Sequence, residues 1–239
     1  MASILLYDLA ASTHNPRCWS YNPWKTRLAL NFKKLEYQTT WLEYPDIAPT
    51  LSLHVPPNPP GAMPYTIPTL RFPDGAYIMD SKAIVQRLER DKPSPSLHID
   101  SPILPEVEHL VSKIMTTLRG VWMPALHANL LNDRSKKHFV QVSEQKYQKP
   151  FDQVLQEIGG EEAWIEVLPS IHQLGEIIKK NEGPFVMGET PSYADFVIVG
   201  GLQFLKVIEE DFYNRVVKIH PAFGKLYRAS SQWLERDDH

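Results

Sequence analysis

Nine of the chain's 21 prolines crowd between Pro45 and Pro73, and they interrupt an otherwise regular alternation of strand and helix signals. Ahead of them, Ile4 to Asp8 is a short apolar run suited to a buried strand. A polar stretch without period, Ala10 to Trp19, leads to Pro23, which suits a first helical turn, and to Trp24, Leu28, Ala29 and Phe32 at spacings of three and four. Tyr37 to Tyr44, rich in aromatic and β-branched residues, reads as a second strand. Strand, helix, strand is a βαβ unit, and its right-handed crossover makes the two strands parallel. Behind the prolines, which should be irregular, Thr69 to Phe72 and Tyr77 to Met79 flank Pro73-Asp74-Gly75. Fixed φ, a local side-chain acceptor and a permissive glycine make that a hairpin turn. Asp80-Ser81 then opens a helix with Ile84, Val85 and Leu88 facing inward, ending near Asp91.

Beyond residue 91 the pattern changes. Lys92 to Pro102 carries three prolines and three serines, a composition expected of a linker. Glu106 to Leu131, Phe139 to Ile158, Ala163 to Lys180, Tyr193 to Ile208 and Ala222 to Leu234 all favour helix, with no hairpin between them. The expected class is α+β: an N-terminal thioredoxin-like domain (βαβαββα) over residues 1–91, a linker over 92–102 and an all-helical domain over 103–239.

Composition narrows the partners. With 239 residues, 43% of them apolar and 22% charged, the chain can bury a sizeable core. A net charge of −3 provides no field for gathering nucleic acid or an anionic membrane, so neither is an expected partner. The most apolar run, Phe196 to Leu205, has ten residues, where a membrane span needs roughly twenty. A single cysteine, Cys18, excludes an internal disulfide framework, and the first residues lack the pattern of a signal peptide; the expected location is cytoplasmic. The nine histidines show no ligand spacing, so no metal is expected.

Two groups of residues carry chemistry. Ile67-Pro68 precedes the third strand, and Asp80-Ser81 follows thirteen residues later. A proline entering a central strand lacks a ladder donor, and a cis bond there turns the Ile67 main chain outward to pair with an extended peptide. Asp80 offers a carboxylate for an ammonium group. Ser81 adds a hydroxyl and an amide to a helix N-terminus that suits a carboxylate. A zwitterionic peptide with a functional middle fits both, and glutathione has that layout. The second group is Ser20 at the entry to the first helix, where partial positive charge favours a nearby thiolate over a thiol. Ser12 and Thr13 are also within the loop, but as hydroxyls expected to be solvated.

In this order the motifs resemble those of cytosolic glutathione transferases, with Ser192 to Asp195 matching the capping box of that family's helical domain. Tyr7-Asp8-Leu9, Trp24-Lys25-Thr26-Arg27 and the stretch from Ile67 to Leu88 look most like the bacterial lignin β-etherases and the fungal-specific A class of glutathione transferases. The resemblance implies a homodimeric serine-type enzyme that uses glutathione as co-substrate on aromatic or phenolic electrophiles, in conjugation or ether cleavage. It makes Ser20 the catalytic position and Asp80 with Ser81 the γ-glutamyl site, Asp standing where many classes carry Glu. His54 and Lys34 are candidates for the glycyl carboxylate. Tyr7 is the rival activator, because other classes use a tyrosine near the end of the first strand. Trp24, beside the helix start, and Trp122, Met123 and His127, on the first long helix of the second domain, are candidates for the substrate pocket. Core packing is the alternative for each. Pro124 should bend that helix. Two other functions compete: a weakly catalytic binding protein (ligandin) for hydrophobic phenolics, and a glutathione-dependent reductase acting through Cys18.

Overall fold

The computed structural model describes residues 3–11 and 16–238, so Ser12 and Thr13 lie outside the described residues. Strand β1 (Ile4–Leu9), helix α1 (Tyr21–Phe32) and strand β2 (Tyr37–Leu42) form the first unit. β1 and β2 are parallel, with Ile4 opposite Tyr37 and Leu9 opposite Leu42. The proline tract is irregular apart from one 3-10 turn and a short helix, α2 (Ile47–Leu51). Pro49 sits in its first turn, where the missing N–H costs no helical hydrogen bond. Strands β3 (Thr69–Arg71) and β4 (Tyr77–Met79) form the expected hairpin, and α3 (Ser81–Asp91) follows. The sheet order is β2-β1-β3-β4, with β3 antiparallel to both of its neighbours. The bonds Ile67-Pro68 and Ser94-Pro95 are cis.

An ion pair is locked between α1 and the sheet. Arg27 and Asp8 are both fully buried, and the guanidinium Nε donates to Asp8 Oδ2 at 2.7 Å. Its other nitrogens donate to Thr39 Oγ1 at 2.9 Å and to the Tyr37 phenol at 3.3 Å, and the group lies 4.9 Å from the centre of the Trp41 ring. Two charges can be taken out of water only when their remaining donors and acceptors are met, and this geometry meets them from both strands.

The second half is helical: α4 (Leu104–Thr117), α5 (Arg119–Asn129), α6 (Asp133–Tyr147), α7 (Phe151–Ile158), α8 (Glu161–Lys179), α9 (Tyr193–Ile208), α10 (Glu210–Ile219) and α11 (Ala222–Ala229). Three boundaries differ from the sequence expectation. The helix expected over 106–131 breaks at Leu118. There the Met115 carbonyl, which a continuous helix would give to the Arg119 amide, accepts instead from the Trp122 indole at 2.9 Å. The region 139–158 is two helices because Pro150 stands before α7 and disfavours helical backbone at the residue ahead of it. Glu209 is extended and separates α9 from α10, an unforeseen helix whose first turn carries Glu210 and Asp211.

Helix α9 is buried along nearly its whole length and packs against α1 on one side and α4 on another. Its start is fixed by Asp195, whose Oδ2 accepts from the Ser192 amide at 2.8 Å and hydroxyl at 2.7 Å while Oδ1 takes the Val186 amide at 2.7 Å. Burial pushes this carboxyl up to about 6 against the pull of those donors. Replacing Asp195 with alanine strands two buried amides, so Asp195→Ala should lower the unfolding free energy by about 2–4 kcal/mol. A urea titration reads this as a lower midpoint at an unchanged slope.

Candidate active site

Ser20 occupies the N-cap position of α1 with extended backbone, yet its hydroxyl makes no capping bond, and no acidic side chain occupies the helix's first turn. The group is half-buried and stands where two cavities meet. One, of about 420 Å³, lies between α1 and the helices α4, α5 and α9; its aromatic wall is Trp19, Tyr21, Tyr44, Trp122, Phe139 and Phe204. The other, of about 350 Å³, runs along the proline tract past Leu9, Ile47, Pro64, Tyr65 and Ile67. Ser20, Asn22 and Tyr44 line both.

Ile67 is only 8% exposed, and its main-chain N–H and C=O make no hydrogen bond within the described residues. Unpaired main-chain groups at so enclosed a position are costly and suit a peptide that supplies their partners. Asp80 and Ser81 line neither cavity. Asp80 is exposed with φ of 76°, and its Oδ1 caps α3 by accepting from the Lys82 amide at 2.8 Å and the Ala83 amide at 3.2 Å. Ser81 is buried beside the Tyr193 phenol. The charge of Asp80 is felt by Lys25, on the wall of the first cavity, whose ammonium group burial pulls down to about 8.

The rival groups are placed elsewhere. Tyr7 lines neither cavity; burial and a hydrogen bond with Tyr77 push its phenol up to about 12, the wrong direction for a phenol that must share its proton with a thiolate. His54 stacks on Tyr77 with ring centres 4.3 Å apart, and neither it nor Lys34 borders either cavity. Cys18 is 2% exposed. Burial and the Asp8 carboxylate hold its thiol well above the usual range, so it is a core group and not a nucleophile.

Of the four candidates for the substrate pocket, only Trp122 is on a cavity wall, edge-to-face with Phe204 at 5.2 Å. Trp24 is fully buried on the core side of α1 and Met123 is 3% exposed in the core, while His127 packs its ring 5.5 Å from Phe151. Helix rotation explains this. At 3.6 residues per turn, Leu126 shares the cleft face of α5 with Trp122, whereas Met123 and His127 are turned away. On α1 the cleft face is Tyr21 and Lys25, which leaves Trp24 on the core side. Trp19, Tyr44, Phe139 and Phe204 went unrecognised as wall residues because they come from four separated segments; only Trp19, adjacent to Ser20, gave a local signal. Among the described residues no group of three or more His, Cys, Asp and Glu side chains could hold a metal ion, and no helix is long and apolar enough to cross a membrane.

Residues 19–91 match the family model for the glutathione S-transferase N-terminal domain, and residues 107–229 match that for the glutathione S-transferase C-terminal domain. Glutathione S-transferase-like protein ustS of Aspergillus flavus is 31% identical, over 92% of this chain and 86% of its own. The solved glutathione S-transferase CsGST63524 of Ceriporiopsis subvermispora, in complex with glutathione, superposes with a TM-score of 0.82 at 26% identity, covering 97% of this chain and 98% of that one. Glutathione transferase GSTFuA3 of Phanerochaete chrysosporium does so with a TM-score of 0.77 at 26% identity, over 98% of each chain. The chain belongs to the glutathione S-transferase family.

Proposed function

We propose that the protein is a serine-type glutathione transferase. The observation that carries this is the Ser20 hydroxyl, free of any capping role, at the junction of the cavity beside Ile67 and the aromatic one. Glutathione lies extended along Ile67 with its γ-glutamyl end toward Asp80 and Ser81, and its sulfur reaches Ser20. The hydroxyl donates to the thiolate, the proton leaves to solvent, and the sulfur attacks an electrophilic carbon of an aromatic substrate in the larger cavity. A C–S bond forms as the leaving group departs with its electron pair; a phenolate leaving group would make the reaction an ether cleavage. Holding both partners in adjoining cavities removes much of the entropic barrier. A homodimer acting in the cytoplasm completes the proposal, and light scattering checks the assembly.

The aromatic wall also supports a binding role for phenolics, so the test must report on the sulfur. Titrating the ultraviolet absorbance of bound glutathione against pH should give a thiolate midpoint about one to two units below the free thiol's, since a hydrogen bond to a charged acceptor is worth about 1.5–3 kcal/mol. Tyr7→Phe should leave that midpoint in place. A midpoint equal to that of free glutathione would remove the enzymatic reading and leave the binding one.

A further inference from the structure

Glu108, the one acid among the described residues of the aromatic cavity's wall, is taken by Lys82 at 2.7 Å. Two cations on the same wall, Lys25 and Arg119, have no carboxylate within ion-pair distance. Lys25 lies 4.6 Å over the Tyr21 ring. Arg119, half-buried at the start of α5, donates one hydrogen bond, to the Tyr147 phenol at 3.2 Å, and a guanidinium has five N–H groups to place. Glu157, Glu162 and Glu166 border a neighbouring hollow that Arg119 also lines, but Glu157 is taken by Lys149 and none of the three pairs with Arg119. Arg119, Trp122 and Leu126 follow one another at spacings of three and four, so Arg119 stands on the same helical face as the apolar wall that contains Trp122.

An aromatic surface continued by an unpaired, partly desolvated guanidinium is the complement of a ring that bears a carboxylate, which a guanidinium binds through two parallel N–H···O contacts. We infer that the cavity selects aromatic electrophiles carrying a carboxylate, with Arg119 as the group that anchors it. Lys25 contributes positive potential from the opposite wall on α1. This rests on the proposed transferase activity and adds the class of substrate. For a chloronitrobenzoate the thiolate adds at the ring carbon bearing chlorine, the C–S bond forms, and chloride leaves with the C–Cl electron pair while the carboxylate is unchanged.

The test compares chloronitrobenzoate with the matching chloronitrobenzamide, each kcat/KM divided by the uncatalysed rate with glutathione. The acid should be favoured about tenfold. Arg119→Gln should bring the ratio close to one, and Arg119→Lys should keep part of it. A binding arm needs no turnover: naphthoate should quench the fluorescence of the Trp19 and Trp122 wall at lower concentration than naphthamide, and Arg119→Gln should erase the difference. Equal ratios in the unmodified protein, or a preference that survives Arg119→Gln and disappears in Lys25→Met, would overturn the assignment. The thiolate titration separates the two failures. A shifted thiolate with no preference for the acid removes this inference alone, whereas an unshifted thiolate with selective naphthoate binding removes the transferase and leaves the acid-binding cavity.

Discussion

Ser20→Ala should lower kcat/KM for displacement of chloride from a neutral chloronitrobenzene by glutathione about 10- to 100-fold, and should return the bound thiolate to the midpoint of free glutathione. The magnitude follows from the loss of one hydrogen bond to a charged sulfur, about 1.5–3 kcal/mol. The variant isolates this contribution unusually well, because the hydroxyl takes no part in capping α1 and its removal leaves no buried donor stranded. The thermal midpoint should therefore stay within a degree or two while the chemistry fails, as expected for a side chain without a structural role. Loss of stability together with activity would mean that the hydroxyl holds the helix start and not the sulfur.

Arg27→Met should have the largest effect on folding, about 3–5 kcal/mol, because it leaves the Asp8 carboxylate buried with no cation beside it. Against the 5–15 kcal/mol available to a typical native protein, this is a substantial fraction. Urea unfolding should show the midpoint fall sharply. The double variant Asp8→Leu with Arg27→Met should recover part of the loss, since replacing both charges by apolar groups removes the desolvation penalty. The pair also affects the site at one remove. Cys18, two residues ahead of Ser20, is close enough to both charges to sense them, so in Arg27→Met the loop leading to Ser20 should exchange its amide protons faster.

The features legible in the sequence are those determined within a few residues of chain. The Pro73-Asp74-Gly75 hairpin and the Ser192–Asp195 capping box rest on local main-chain chemistry, and both stand in the structure. The parallel pairing of β1 with β2 follows from a chirality rule that needs only element order. Helix breaks were harder. The turn at Leu118 depends on the Trp122 indole reaching back to Met115, a contact invisible to periodicity, and Pro124, the expected source of distortion, lies inside α5. The buried Asp8–Arg27 pair leaves a trace in the sequence: a lone acid inside an apolar strand, and an arginine next to Leu28 on the apolar side of α1. Ser20 and Ile67 could be proposed as candidates because their chemistry is that of a helix start and a proline turn, and each borders a cavity. The pocket wall could not, since tertiary packing of distant segments decides which face of each helix looks inward.

A crystal of the protein soaked with glutathione tests the central claim most directly. The sulfur should lie within hydrogen-bonding distance of Ser20 Oγ, with the cysteinyl main chain paired to the N–H and C=O of Ile67 and the larger cavity open on the other side of the sulfur. Density for the tripeptide that turns its sulfur toward Tyr7 or Cys18, or seats it away from Ile67 altogether, would contradict the account.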